Sequence, residues 1–215
     1  MKMKYFAFVF LLLLTGCSVG KYEYSNKARE KVDMTFTGVP TILGAGALGT
    51  TIPLTDEYSL TAAHVARYSL YRVKSRNPEC DLAIVYHKNK NLKAPVFRNG
   101  NIGDRVNLFG YSFISAMPVK SEGTSLTNTV FKSKWNKQSC VVVASDAGTV
   151  QGMSGGAVYN NSDGTIAGVI IGYADRINDG KSGKVKYKNV SVYIPYASFK
   201  TWLDTELQIN SSHGN

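Results

Sequence analysis

One serine in this 215-residue chain is placed to project from a tight turn: Ser154, in Gly152-Met153-Ser154-Gly155-Gly156. A serine hydroxyl is a poor nucleophile until a neighbouring base removes its proton during attack. Histidine suits that task, and the chain has three, His64, His87 and His213. A carboxylate that fixes the imidazole tautomer completes such a constellation. Two aspartates ahead of the serine are candidates, Asp81 in CDLAIV and Asp104 in NIGDRV. Asp104 follows glycine before a strand-like run, a pairing that favours a turn. The histidines are scattered and no Cys-x-x-Cys occurs, so no metal-ligand spacing presents itself.

Gly-x-Ser-x-Gly also fits the nucleophile elbow of α/β-hydrolases. That fold requires strands alternating with helices and a histidine after the serine. Past Ser154 the only histidine is His213, in a polar tail. The elements disagree as well. Short β-branched or aromatic runs recur between Gly, Asn, Asp and Ser clusters, at 35–43, 58–61, 69–74, 82–87, 105–111, 141–144, 156–159, 166–173 and 184–194. This spacing predicts an all-β sandwich or barrel. A helical period comes only at the end, where Pro195 opens PYASFKTWLDTELQ with Tyr196, Phe199, Trp202, Leu203 and Leu207 on one stripe. The elbow reading fails on both counts.

YSLTAAHVA around His64 resembles the Thr-Ala-Ala-His motif of chymotrypsin-like serine peptidases. CDLAIV resembles that family's aspartate segment, and GMSGGAV its serine loop, in the same order. TIAGVIIGYAD and NVSVYIPYASFKTWL resemble the strands and helix that follow, so the resemblance covers residues 35 to 208. It implies a double six-stranded antiparallel β-barrel with a C-terminal helix. It also implies His64 as general base, Asp81 as its orienting carboxylate and Ser154 as nucleophile. Backbone N–H groups of Gly152 and Ser154 would hold the oxyanion. The implied reaction is cleavage of protein or peptide substrates without a cofactor. A catalytically inactive binding module on the same fold, and an esterase using the same triad, are the alternatives.

The departures are informative. Met153 replaces the aspartate that pairs with a liberated N-terminus in trypsin-type enzymes, which argues against activation by N-terminal insertion. Gly148, six residues before the serine, brings no charge to the expected pocket base. Tyr173 falls near a pocket wall, and Asp175 beyond it is a weaker candidate for attracting a basic residue.

The N-terminus bears on location. Lys2 and Lys4 precede an apolar run, Tyr5 to Leu14, too short to span a bilayer but suited to a signal peptide. Leu14-Thr15-Gly16-Cys17 resembles the lipobox of bacterial lipoproteins, implying cleavage after residue 16 and lipidation of Cys17. The expected setting is the cell envelope, at the outer membrane if the host is Gram-negative. Residues 18–33 are polar and without period, and read with Cys17 and residue 34 as a tether; the leash reaches at most about 50 Å. Residues 209–215 read as a frayed tail. Cys80 and Cys140 remain, and an oxidising compartment permits a bridge between them without requiring one. The net charge of +10 is spread along the chain, through Arg67, Arg72, Lys74 and Arg76, then Lys181, Lys184, Lys186 and Lys188. It reads as solvated faces near lipid rather than a nucleic-acid site.

Overall fold

A computed structural model describes residues 18–37, 47–68, 71–89, 95–132, 139–179 and 182–211. The expectations for Cys17, Lys181 and His213 lie outside them. The described chain is mostly antiparallel β-structure in two large sheets.

The first sheet contains β3 (Asp33–Thr37), β4 (Ala47–Pro53), β5 (Tyr58–Ala62), β6 (Val73–Arg76) and β7 (Leu82–Tyr86), in the order β3-β4-β5-β7-β6. The second contains β8 (Arg105–Tyr111), β9 (Pro118–Lys132), β10 (Ser139–Ser145), β12 (Ala157–Asn160), β13 (Ile166–Asn178) and β14 (Val185–Pro195). Its order is β10-β14-β13-β12-β8-β9, and β9 pairs back onto β10 to close a six-stranded ring. Closure removes the unpaired edges that an open sheet exposes. So the double barrel holds, six strands in the second barrel and five in the described part of the first.

Apolar side chains fuse the two. One buried cluster joins Ile52, Leu60, Leu82 and Ile84 of the first sheet to Phe109, Ile166, Val169 and Ile194 of the second. A disulfide, Cys80–Cys140, links the turn before β7 to β10. Helix α2 (Ala63–Tyr68) follows β5 directly. The C-terminal helix, α3 (Lys200–Ser211), begins later than the sequence predicts. Pro195 ends β14 and caps a 3-10 turn, Tyr196–Ser198, and Phe199 at φ −135° and ψ 1° separates that turn from α3. The predicted stripe is nonetheless the packed face, with Phe199 and Leu203 buried and Tyr196, Trp202 and Leu207 against the same cluster.

Residues 18–33 are not a leash. β1 (Ser18–Val19) pairs with β11 (Thr149–Val150), β2 (Glu23–Tyr24) pairs with β9, and α1 (Asn26–Arg29) follows. Val19, Ala28 and Val32 are buried, three apolar anchors in an otherwise polar stretch. Gly20 explains part of the path, since a Cβ there would meet the Gly148 Cα at 2.8 Å. Residues 18–21 thus run beside Gly148 and β11, the stretch that leads into the serine loop.

Candidate active site

The serine loop is held by bonds that fix individual peptide planes. The Phe113 N–H donates to the Gln151 carbonyl at 2.7 Å, and the Gly156 N–H to that of Met153 at 2.9 Å. In a trans peptide the N–H points opposite its C=O. Both bonds therefore turn the N–H groups of Gly152 and Ser154 to the other side, and neither N–H has a partner among the described residues. Gly152 sits at φ +101°, a conformation that favours glycine.

Thr50 of β4 secures the same loop from the first sheet. Its N–H donates to the Ser154 carbonyl at 2.9 Å and its hydroxyl to the Gly152 carbonyl at 2.8 Å. The hydroxyl accepts from the Tyr111 N–H at 3.0 Å. Thr61 of β5 donates to the Thr50 carbonyl at 2.7 Å. Gly155, at φ +87°, completes the join: a Cβ there would lie 2.0 Å from the Thr50 carbonyl oxygen and 2.2 Å from Thr61 Oγ1. The loop is thereby pressed against β5 just before His64.

Removing the Thr50 hydroxyl strands two buried backbone groups, a loss of about 1–3 kcal/mol. Thr50→Val is expected to lower the melting temperature and to slow reaction of Ser154 with an active-site probe by up to about 10²-fold, as one oxyanion donor drifts. Thr50→Ser should restore both. Wild-type reactivity in Thr50→Val would show that the loop does not depend on this hydroxyl.

His64 lies in the first turn of α2, and Asp81 immediately precedes β7. Pairing of β5 with β7 places Ala62 opposite Leu82, bringing the two residues together. His64 Nδ1 donates to Asp81 Oδ2 at 2.6 Å, and the His64 backbone N–H donates to Oδ1 at 2.9 Å. The aspartate is 7% exposed and the imidazole side chain 30%. Because the carboxylate fixes the proton on Nδ1, Nε2 is left as the basic nitrogen. The Ser154 hydroxyl donates to the Ile171 carbonyl at 3.4 Å in this state and not to His64. Such bonds are often unmade before substrate arrives.

The remaining candidates fall elsewhere. Asp104 accepts the Asn101 N–H at 2.7 Å in a turn, as its sequence context predicts. His87 stacks on Tyr71 and faces Ser59 and Asp33, and burial pushes its pKa down. Met153 is fully buried with Val150 and Tyr193, so an apolar anchor stands where the trypsin-type aspartate would be.

A pocket of about 500 Å³ adjoins Ser154, lined by Thr149, Val150, Gln151, Gly152, Ile171, Gly172 and Tyr173. No described lining residue is charged. Tyr173 is in the wall as expected, whereas Gly148 is not. The physical reason is the N-terminal segment: a Cβ on Gly148 would meet the Lys21 carbonyl oxygen at 2.2 Å, so that position backs onto Lys21. Thr50, Phe113 and this backing segment carry no motif by which the sequence could mark them.

Family models and curated proteins give no match by sequence. Solved structures do match by shape. The active form of the Rv3671c protease from M. tuberculosis superposes with a TM-score of 0.65 at 16% identity, over 83% of this chain and 81% of that one. The MamO protease domain from Magnetospirillum magneticum gives 0.61 at 17% identity, over 82% and 97%. The HtrA-type protease AlgW with tripeptide gives 0.60 at 19% identity, over 81% of this chain and 59% of that longer one. Joined to two packed antiparallel barrels and a C-terminal helix, these likenesses show that the chain has the chymotrypsin-like serine peptidase fold.

Proposed function

We propose that the protein is a serine endopeptidase anchored to the bacterial cell envelope through lipid on Cys17. The observation that carries the catalytic part is the paired contact of Asp81 with the Nδ1 and the backbone N–H of His64, beside a serine loop with two unpartnered N–H groups. In the proposed reaction Ser154 Oγ turns from Ile171 and attacks the scissile carbonyl carbon while His64 Nε2 takes the hydroxyl proton. The oxyanion is stabilised by the N–H groups of Gly152 and Ser154, a contribution of about 10²–10³ in rate per donor. The C–N bond then breaks, and the imidazolium gives its proton to the departing amine. Water, activated by the same imidazole, splits the acyl-enzyme and regenerates the serine. The uncharged pocket supports an uncharged side chain before the scissile bond. The outer membrane is the proposed site if the host is Gram-negative.

One observation favours the inactive binding module as a second reading: the serine hydroxyl is engaged with Ile171 rather than with His64. A fluorophosphonate probe separates the two, because it reacts only with an activated serine. Labelling is expected in the wild type and lost in Ser154→Ala and His64→Ala. Folded wild-type protein that stays unlabelled would put the binding module in first place.

A further inference from the structure

The far half of β13 has one strand neighbour instead of two. β12 accompanies it only from Ile166 to Val169, whereas β14 runs beside it from Gly168 to Asn178. From Ile171 onward one edge carries no strand among the described residues. That edge starts at the carbonyl bonded to Ser154 and continues through the pocket wall, Gly172 and Tyr173. His64 must protonate the departing amine, so the leaving half of a substrate lies on the His64 side. The residues preceding the scissile bond are then those that follow β13.

Beyond the pocket, β13 and β14 form a two-stranded arm whose cations form no ion pair among the described residues. Arg176 and Lys188 are Cα partners across the strands, and both are exposed. Directly paired residues project from the same side of a ladder, and like charges so placed are destabilising. Neither forms an ion pair among the described residues. Lys184 and Lys186 are exposed nearby. The acids of the arm form no ion pair with these cations among the described residues. Asp175 is exposed beside Arg176, and Asp179 accepts the N–H and hydroxyl of Ser182 in the turn. The arm is also anchored, since Ile177 and Val190 are buried against Ala144. A fixed repulsive pair continuing a substrate edge is complementary to negative charge on the substrate.

We infer that this arm selects protein segments with acidic residues upstream of the scissile bond, read chiefly by Arg176 and reinforced by Lys188. The inference rests on the endopeptidase reading. Both strands advance about 3.3 Å per residue, so Arg176 stands level with a side chain about five residues upstream of the one beside Ile171.

The test uses the full-length protein and three peptides that differ only at the fourth to sixth upstream positions, carrying Glu, Gln or Lys. The Glu peptide is expected to exceed the Gln peptide in kcat/KM by about fivefold, the size of one or two exposed ion pairs. The Lys peptide should fall below both. The spread should collapse between about 0.1 M and about 1 M salt, where the screening length shrinks from about 10 Å to about 3 Å. Arg176→Glu with Lys188→Glu should invert the order of the Glu and Lys peptides. Equal kcat/KM for all three peptides, or a preference that survives the double reversal, overturns the inference. So does a flat peptide profile with charge-dependent binding to phosphatidylglycerol vesicles, which would assign the arm to lipid head groups. Absence of all cleavage with Ser154 unlabelled instead overturns the endopeptidase reading, and the inference falls with it.

Discussion

Asp81→Asn is expected to lower the rate of acylation of Ser154 by about 10⁴-fold, the size of effect a triad loses when its imidazole is held in the wrong tautomer. The direction follows from the two hydrogen bonds the carboxylate accepts. Its Oδ1 takes the His64 backbone N–H and its Oδ2 takes Nδ1–H. Asparagine offers one oxygen and one amide nitrogen. The backbone N–H cannot change its role, so the oxygen faces it and the NH₂ group faces the ring. Nδ1 must then act as acceptor, the ring proton moves to Nε2, and no base remains to take the serine proton. Size and shape are preserved, so the melting temperature should change little and KM should hold. The measurements are the fluorophosphonate labelling rate and kcat on a peptide. A loss below tenfold would mean that His64 is held in its tautomer by something other than Asp81.

Much of this site was legible because its chemistry is concentrated in short motifs. TAAHV marked His64, CDLAIV marked Asp81 and GMSGGAV marked Ser154. The turn that returns the chain to Asp81 is held by Asn77 Oδ1, which accepts the N–H groups of Glu79 and Cys80. β9 was not legible. Its inward positions include Ser121 and Ser125, both buried, so the alternation that marks a strand lacks its apolar half. The two-residue strands β1 and β2 carry no period at all, and only their partners β11 and β9 define them. Thr50 looks like any strand threonine until the serine loop is folded over it. The rule that separates these cases is physical. Residues that react must be of particular types, whereas residues that position them through backbone bonds need only the right shape.

Loss of the Cys80–Cys140 disulfide is expected to be the largest single blow to stability. The bridge closes a loop of 60 residues, with its Cα atoms 5.1 Å apart. Confining the unfolded chain to that extent is worth about 4 kcal/mol in the chain-entropy account. For a domain of this size the melting temperature should fall by roughly 10 °C. The bridge also has a local role, because Cys80 adjoins Asp81 while Cys140 belongs to the other barrel. Without it, the turn that presents Asp81 remains tied by the Asn77 bonds and by the His64 N–H. The acylation rate well below the melting temperature should therefore drop by less than about tenfold, far short of the loss in Asp81→Asn. Thermal melts and labelling rates of the Cys80→Ala, Cys140→Ala double variant measure both effects. Dithiothreitol should reproduce them in the wild type and leave the double variant unchanged. A variant that melts with the wild type would mean that the buried cluster shared by the barrels already restricts the unfolded chain or carries the stability alone. Retained stability with a collapsed labelling rate would mean that the bridge acts on Asp81 rather than on the fold.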